Sequence, residues 1–208
     1  MDFDTPKTRI LPDRAARLPN SVLAIGAFDG VHRGHQALIR AAVIEARERG
    51  VPAVVWTFDP PPKVMFGRAA QLCPLDEKLA RIARLGVDCI VVARFDQVYA
   101  ARDARAFMAD LARVSPLTIH VGGDFRFGVG QSGDTDLLAT RFNVRIATPI
   151  LCEAGEPVSS TRIRALRADG RDVEAQALQG DFDTGQAFAA RRLLLDLRPF
   201  PHTKEALS

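Results

Sequence analysis

Apolar and polar residues along this chain alternate between two rhythms. Short, nearly continuous apolar runs are followed by longer stretches whose apolar positions fall three or four apart. "SVLAIG" reads as a buried strand. "GHQALIRAAVIEARERG" then reads as a helix, with Leu38, Ala41, Ala42 and Ala46 near helical spacing and Gly50 as its stop. "PAVVWTF" predicts a second strand and "DPPPKVMFGRAAQLCP" a proline-rich loop. "LDEKLARIARLG" predicts a helix ending at Gly86, "VDCIVVARF" a strand, "RDARAFMADLARV" a helix and "LTIHVGGDF" a strand. "DTDLLATRF" predicts another helix, "NVRIATPI" another strand, and "SSTRIRALRADG" with "DVEAQALQG" two short helices.

Strand followed by helix, repeated, predicts an α/β fold: a parallel sheet with helices on both faces. Ligands in such folds bind at the carboxyl ends of the strands. The loops after Ile25, Phe58, Ala93 and Val121, and the turn before Ser160, are therefore where chemistry is expected. Residues 1–20 read as an N-terminal extension, 21–180 as one domain, and 181–208 as a C-terminal helix and tail.

Composition narrows the partners. A chain of 208 residues has room for one domain with a sizeable core, and 47% hydrophobic residues argue against disorder. A net charge of +3 does not call for nucleic acid or membrane, so small-molecule substrates are the expected partners. Lysines account for only four of the 28 basic residues. Arginine suits phosphate recognition, although a general bias explains most of the excess. Cys73, Cys89 and Cys152 are far apart and form no metal-ligand spacing, which argues against a zinc site and suits a reducing cytoplasm. The N-terminus carries acids and prolines without an apolar segment, so it is not a signal peptide, and no apolar run approaches the ~18 residues of a membrane span.

"GAFDGVHRGHQALI", residues 26–39, is the densest chemistry in the chain. Gly26 and Gly30 allow a sharp turn and close approach of a ligand. His32 and His35 lie three apart, on one face of the first helical turn, beside free amides and the positive end of the helix dipole. That combination predicts a polyphosphate pocket. No G-x-x-x-x-G-K-[ST] loop occurs, so a nucleotide-triphosphate enzyme would need another device for its phosphates, and this turn is the candidate. "VSSTRIRALRADG" places Ser159, Ser160, Thr161, Arg162 and Arg164 at another helix start. Capping needs fewer polar groups than that, which predicts a second phosphate site facing the first.

Two further features need weighing. Gly128, Gly130 and Gly133 spell G-x-G-x-x-G, but "DFRF" separates them from the preceding strand. A dinucleotide fingerprint requires glycines directly between strand and helix. The stretch reads as a mobile glycine-rich flap, with Phe125 and Phe127 facing a planar ligand or anchoring the loop. His120, inside an apolar strand, reads as a satisfied core residue.

"GAFDGVHRGHQALI" resembles the G-x-F-D-G-V-H-x-G-H motif of bacterial FAD synthetases, in their FMN adenylyltransferase domain. "VVWTFDPPP", "LDEKLARIARLGVD", "VGGDFRFGVGQSGD" and "VSSTRIRALRADGRDVEAQALQG" resemble the remaining family blocks, in order, over about residues 21–180. The resemblance implies a Rossmann-like nucleotidylyltransferase fold and the reaction ATP + FMN → FAD + pyrophosphate, with magnesium. It implies catalytic roles for His32, His35, Ser160, Thr161 and Arg162, and an ATP side made by Gly26, Phe28, Asp29, Gly30 and Gly34. Asp29 would shape the turn or assist the magnesium, and Phe58, Pro60, Asp124, Phe125 and Phe127 would lie toward the flavin. Three positions depart from the family pattern. Ala27 stands for the usual asparagine, Pro61 for a histidine, and Gly123 for the first aspartate of G-D-D-F. These losses keep a sister nucleotidylyltransferase with another phosphorylated acceptor, or a weakly active flavin- or nucleotide-binding module, as alternatives. The 28 residues after Gly180 do not resemble the riboflavin kinase domain of bifunctional members, so a chain ending there would need FMN supplied.

Overall fold

Six strands form one wholly parallel sheet in a computed structural model that describes residues 8–180. The strands are β1 (Arg9–Pro12), β2 (Ser21–Ile25), β3 (Ala53–Asp59), β4 (Cys89–Arg94), β5 (Pro116–Gly122) and β6 (Val144–Ala147), in the order β1-β4-β3-β2-β5-β6. The helices are α1 (Arg33–Arg49), α2 (Pro62–Met65), α3 (Leu75–Ala83), α4 (Gln97–Ala100), α5 (Ala104–Ala112), α6 (Thr135–Ala139), α7 (Ser160–Ala168) and α8 (Asp172–Gln179). The C-terminal helix expected over 181–208 lies outside the described residues.

Each central strand is buried on both sides, which explains its continuous apolar sequence. Val22 and Ala24 of β2, with Val55 and Val92, pack under Leu38, Ile39, Ala42 and Ala46 of α1 and Leu79 and Ile82 of α3. Leu23 and Ile25, pointing the other way, join Trp56, Val91 and Ile119 against Phe107, Met108 and Leu111 of α5 and Leu138 of α6. A smaller cluster ties α7 and α8 together through Ile163, Leu166, Ala175 and Leu178.

The pattern reading did not predict β1. Its four residues pair in register with β4, from Arg9 opposite Cys89 to Pro12 opposite Val92. Neither did it predict α2 or α4, single helical turns inside stretches read as loop.

Chain order sets the site. From β2 the chain moves outward to β3 and β4, then returns to place β5 on the other side of β2. Loops leaving β2 and β5 therefore part in opposite directions, opening a crevice at their carboxyl ends.

Candidate active site

The residues after Ile25 form a strained turn. Phe28, Gly30 and Val31 adopt φ of 48°, 74° and 46°. A β-branched residue at positive φ is unusual, and such conformations cost on the order of 1–3 kcal/mol each. Packing holds the strain: Val31 and Phe28 are buried, and the Val31 amide donates to the Phe28 carbonyl at 3.1 Å. A Cβ on Gly26 would stand 2.8 Å from the Phe28 ring, so the ring occupies the space that glycine leaves. Phe28 thus supports the turn from within the core, edge-on to His35 with centroids 5.2 Å apart.

His32 caps α1, its Nδ1 accepting from the His35 amide at 3.3 Å. A neutral His32 that accepts at Nδ1 carries its proton on Nε2, leaving that nitrogen as a donor. The His32 and His35 rings stack with centroids 3.6 Å apart and planes 20° from parallel. Burial lowers the His32 pKa to about 4; Arg164 adds to the lowering and Asp124 opposes it. His35 lies well below the ordinary value, first through burial and then through His32 and Lys78. His35 is half-buried, and its Nδ1 is enclosed with no hydrogen-bond partner among the described residues. At neutral pH the pair therefore offers uncharged N–H donors at a helix start.

The head of α7 docks against this turn. Ser159 caps it, accepting from the Arg162 amide at 3.3 Å, and the Ser160 hydroxyl donates to the Asp29 carbonyl at 3.2 Å. Asp29 accepts from the Leu72 amide at 3.0 and 3.2 Å and pairs with Arg164, which also donates to the Ala70 carbonyl. Arg162 turns aside, its Nη1 3.0 Å from Cys152 Sγ. The structure thus brings Arg164 rather than Arg162 to the histidines. Thr161 is exposed at the same helix start. Burial would hold the Asp29 carboxylate out of reach of a magnesium ion while both its oxygens are engaged. Among the described residues no three His, Cys, Asp or Glu side chains converge to hold a metal. Asp29, with both oxygens engaged, does not fit as a magnesium ligand.

An aromatic floor adjoins the crevice. Phe58, buried at the end of β3, packs 5.8 Å from Phe95, 6.1 Å from Tyr99 and 6.2 Å from Phe107. Exposed Phe66 leans on Phe95 at 6.0 Å. Phe127 is buried between Phe107 and Phe125, centroids 5.3 and 5.5 Å away, so it belongs to the core. Phe125 and Pro60 are half-buried and Asp124 is exposed. The glycine-rich stretch is a turn pinned at both ends, Phe127 and Gly133 exchanging backbone bonds of 3.0 and 2.8 Å. A further bond of 2.8 Å runs from Val129 to Arg102. It is no dinucleotide fingerprint. His120 is a core residue as expected, bonded to Glu45 at 2.8 Å.

Two open grooves, of about 680 and 480 Å³, do not contain the histidines. In the larger, Arg102 and Arg113 both pair with Asp110, leaving little uncompensated charge for a phosphate. Sequence reasoning gave no role to Lys78, Phe66, Phe95 or Tyr99. For Lys78 a signal existed: it is one of four lysines in an arginine-rich chain, inside a block that matched the family pattern.

Residues 14–162 match the family described as FAD synthetase. A putative bifunctional riboflavin kinase/FMN adenylyltransferase of Geobacillus thermodenitrificans is 48% identical, covering 78% of this chain and 91% of that protein. The bifunctional riboflavin kinase/FMN adenylyltransferase of Escherichia coli K12 is 42% identical over 76% of this chain, which spans 54% of that longer protein. An FAD synthetase of Listeria monocytogenes is 31% identical, covering 82% of this chain and 72% of its own length. A crystal structure titled macrolide-efflux protein, from Streptococcus pneumoniae, superposes with a TM-score of 0.74 at 30% identity, covering 84% of this chain and 62% of that one.

Proposed function

Since this chain belongs to the FAD synthetase family, we propose that it transfers the AMP of ATP to FMN, giving FAD and pyrophosphate. The observation that carries this reading is the stacked His32/His35 pair at the head of α1, in the crevice between β2 and β5, with Arg164 facing it from α7.

A phosphate oxygen of FMN attacks the α-phosphorus of ATP, and the bond from that phosphorus to the bridging oxygen of pyrophosphate breaks. No protein nucleophile is needed. The chain's work is to align the two phosphates and to stabilise charge gathering on the leaving pyrophosphate. His32 Nε2, His35 and the free amides of α1 supply donors from one side. Ser160, Thr161, Arg164 and, after leaving Cys152, Arg162 supply them from the other. Gly26, Gly30 and Gly34 keep side chains out of the phosphate path, and Asp29 locks the turn to α7. Phe58, Pro60 and Phe125, extended by Phe66 and Phe95, offer the flat flavin an apolar slot, with Asp124 at its edge and Phe127 beneath.

Incubating the pure protein with ATP, magnesium and FMN, then separating products by chromatography, tests the proposal. FAD and pyrophosphate in equal amounts are expected. The missing polar groups at Ala27, Pro61 and Gly123 favour, as a second reading, a different phosphorylated acceptor. Pyrophosphate release with another acceptor and none with FMN would establish it.

A further inference from the structure

Lys78 is fully buried, at 0% exposure, on the face of α3 that also buries Leu79 and Ile82. Its Nζ donates to the Phe58 carbonyl at 2.7 Å. Asp59 at the end of β3, Asp29 in the turn after β2 and the Cys73 thiol before α3 lie within electrostatic reach of it, as does His35 on α1. Burial pushes its pKa down, and Asp59 counters this. Enclosing an ammonium is unfavourable even beside a partner, and an apolar residue of similar shape would fill the same space without that cost. This cation also stands where the two half-sites meet: Phe58 begins the proposed flavin slot, while Asp29 and His35 belong to the phosphate turn.

We propose that Lys78 is a positioning residue for adenylyl transfer, a buried cation that ties the end of β3 to the phosphate turn and so sets the acceptor against the ATP phosphates. The inference rests on the adenylyl-transfer reading. A plainer role would be to neutralise Asp59, and the two roles separate experimentally. Lys78→Met preserves length and apolar volume, so the fold and the KM for ATP should stay near those of the unmodified protein. Loss of alignment should lower kcat about 10²-fold. Asp59→Asn removes the carboxylate that Lys78 would otherwise neutralise. If Lys78 serves only as its counter-ion, Asp59→Asn combined with Lys78→Met restores turnover. If Lys78 aligns the half-sites, Asp59→Asn alone stays active and the double variant remains as slow as Lys78→Met. Should Lys78→Met alone fail to fold, the double variant, neutral at both positions, supplies the same comparison against Asp59→Asn. FAD formation by the double variant at the rate of Asp59→Asn overturns the inference and leaves the adenylyl-transfer reading standing. An unmodified chain that forms no FAD removes both.

Discussion

His32 and His35 are donors without charge, and that fixes how acid should act on the protein. The folded pKa of His32, about 4, lies below its ordinary 6.5, so the unfolded chain takes up the proton first as pH falls. Stability is then undiminished above about pH 6.5 and declines between 6.5 and 4, by about 3 kcal/mol from His32 alone. His32→Asn keeps a capping side chain but removes that titration. Melting temperatures from pH 7 to 4.5 should therefore fall less in this variant than in the unmodified protein, with His35 and His120, whose pKa values burial also lowers, contributing to the remaining fall. Equal slopes would mean that His32 does not titrate as described. For catalysis, His32→Ala and His35→Ala should each lower turnover by on the order of 10²-fold while the protein stays folded. Near-normal pyrophosphate release with both replaced would sink the phosphate assignment.

At the level of elements, the turn after β2 and the head of α7 act as one unit because Asp29 and Arg164 join them. The Asp29 side chain is 4% exposed and that of Arg164 17%, so solvent screens the pair weakly. Breaking such a pair from one side leaves a charge in a poor medium and costs about 3–5 kcal/mol, whereas removing both partners costs far less. Arg164→Met should thus be strongly destabilised in urea titrations, and Asp29→Asn with Arg164→Met should recover much of the loss. If the ion pair also aligns the two phosphate-binding elements, the double variant will bind ATP weakly despite its recovered stability. A double variant with unchanged ATP affinity would confine the pair to a structural role.

For the whole molecule, the affinity of the crevice for its acceptor is the property that the family departures bear on. Losing a hydrogen bond costs roughly 0.5–1.5 kcal/mol, so if Ala27, Pro61 and Gly123 each remove an edge contact, FMN should bind about one to three orders of magnitude more weakly than in a relative with the usual residues. The three positions are not equivalent in the fold. The Ala27 carbonyl accepts from the Thr57 hydroxyl at 3.0 Å, and Pro61 is buried at the start of α2. Gly123 is exposed, and a Cβ there meets only Ile146 Cγ2 at 3.5 Å, an ordinary contact. Gly123→Asp can therefore be accommodated without moving its neighbours. Calorimetry should find FMN bound more tightly by Gly123→Asp than by the unmodified chain, with ATP unaffected. Ordinary FMN affinity in the unmodified chain would show that these departures carry no cost. No helix among the described residues is long and apolar enough to cross a membrane.

The alternation of apolar runs and helical patterns determined the parallel sheet and nearly every longer element, because strands buried on both faces and helices buried on one leave different local signatures. The histidine turn was equally legible: glycines, two histidines and a strand-to-helix junction are all local features. Tertiary structure alone decided the rest. β1 has only four residues, too few to show a period, and exists because β4 offers an edge to pair with. Arg162 and Arg164 sit two residues apart on α7, about 200° around the helix, so sequence could not say which one faces the histidines. Burial of Ile163 and Leu166 sets the rotation of α7 and sends Arg164 to Asp29. Lys78 looks like a solvated residue of an amphipathic helix and is enclosed only because α3 closes over the end of β3 and the strained turn. Phe95 lies far along the chain from Phe58 and Phe66 and meets them only when β3 and β4 pair. Local pattern encodes which face of an element is apolar; what covers that face depends on contacts between residues distant in sequence.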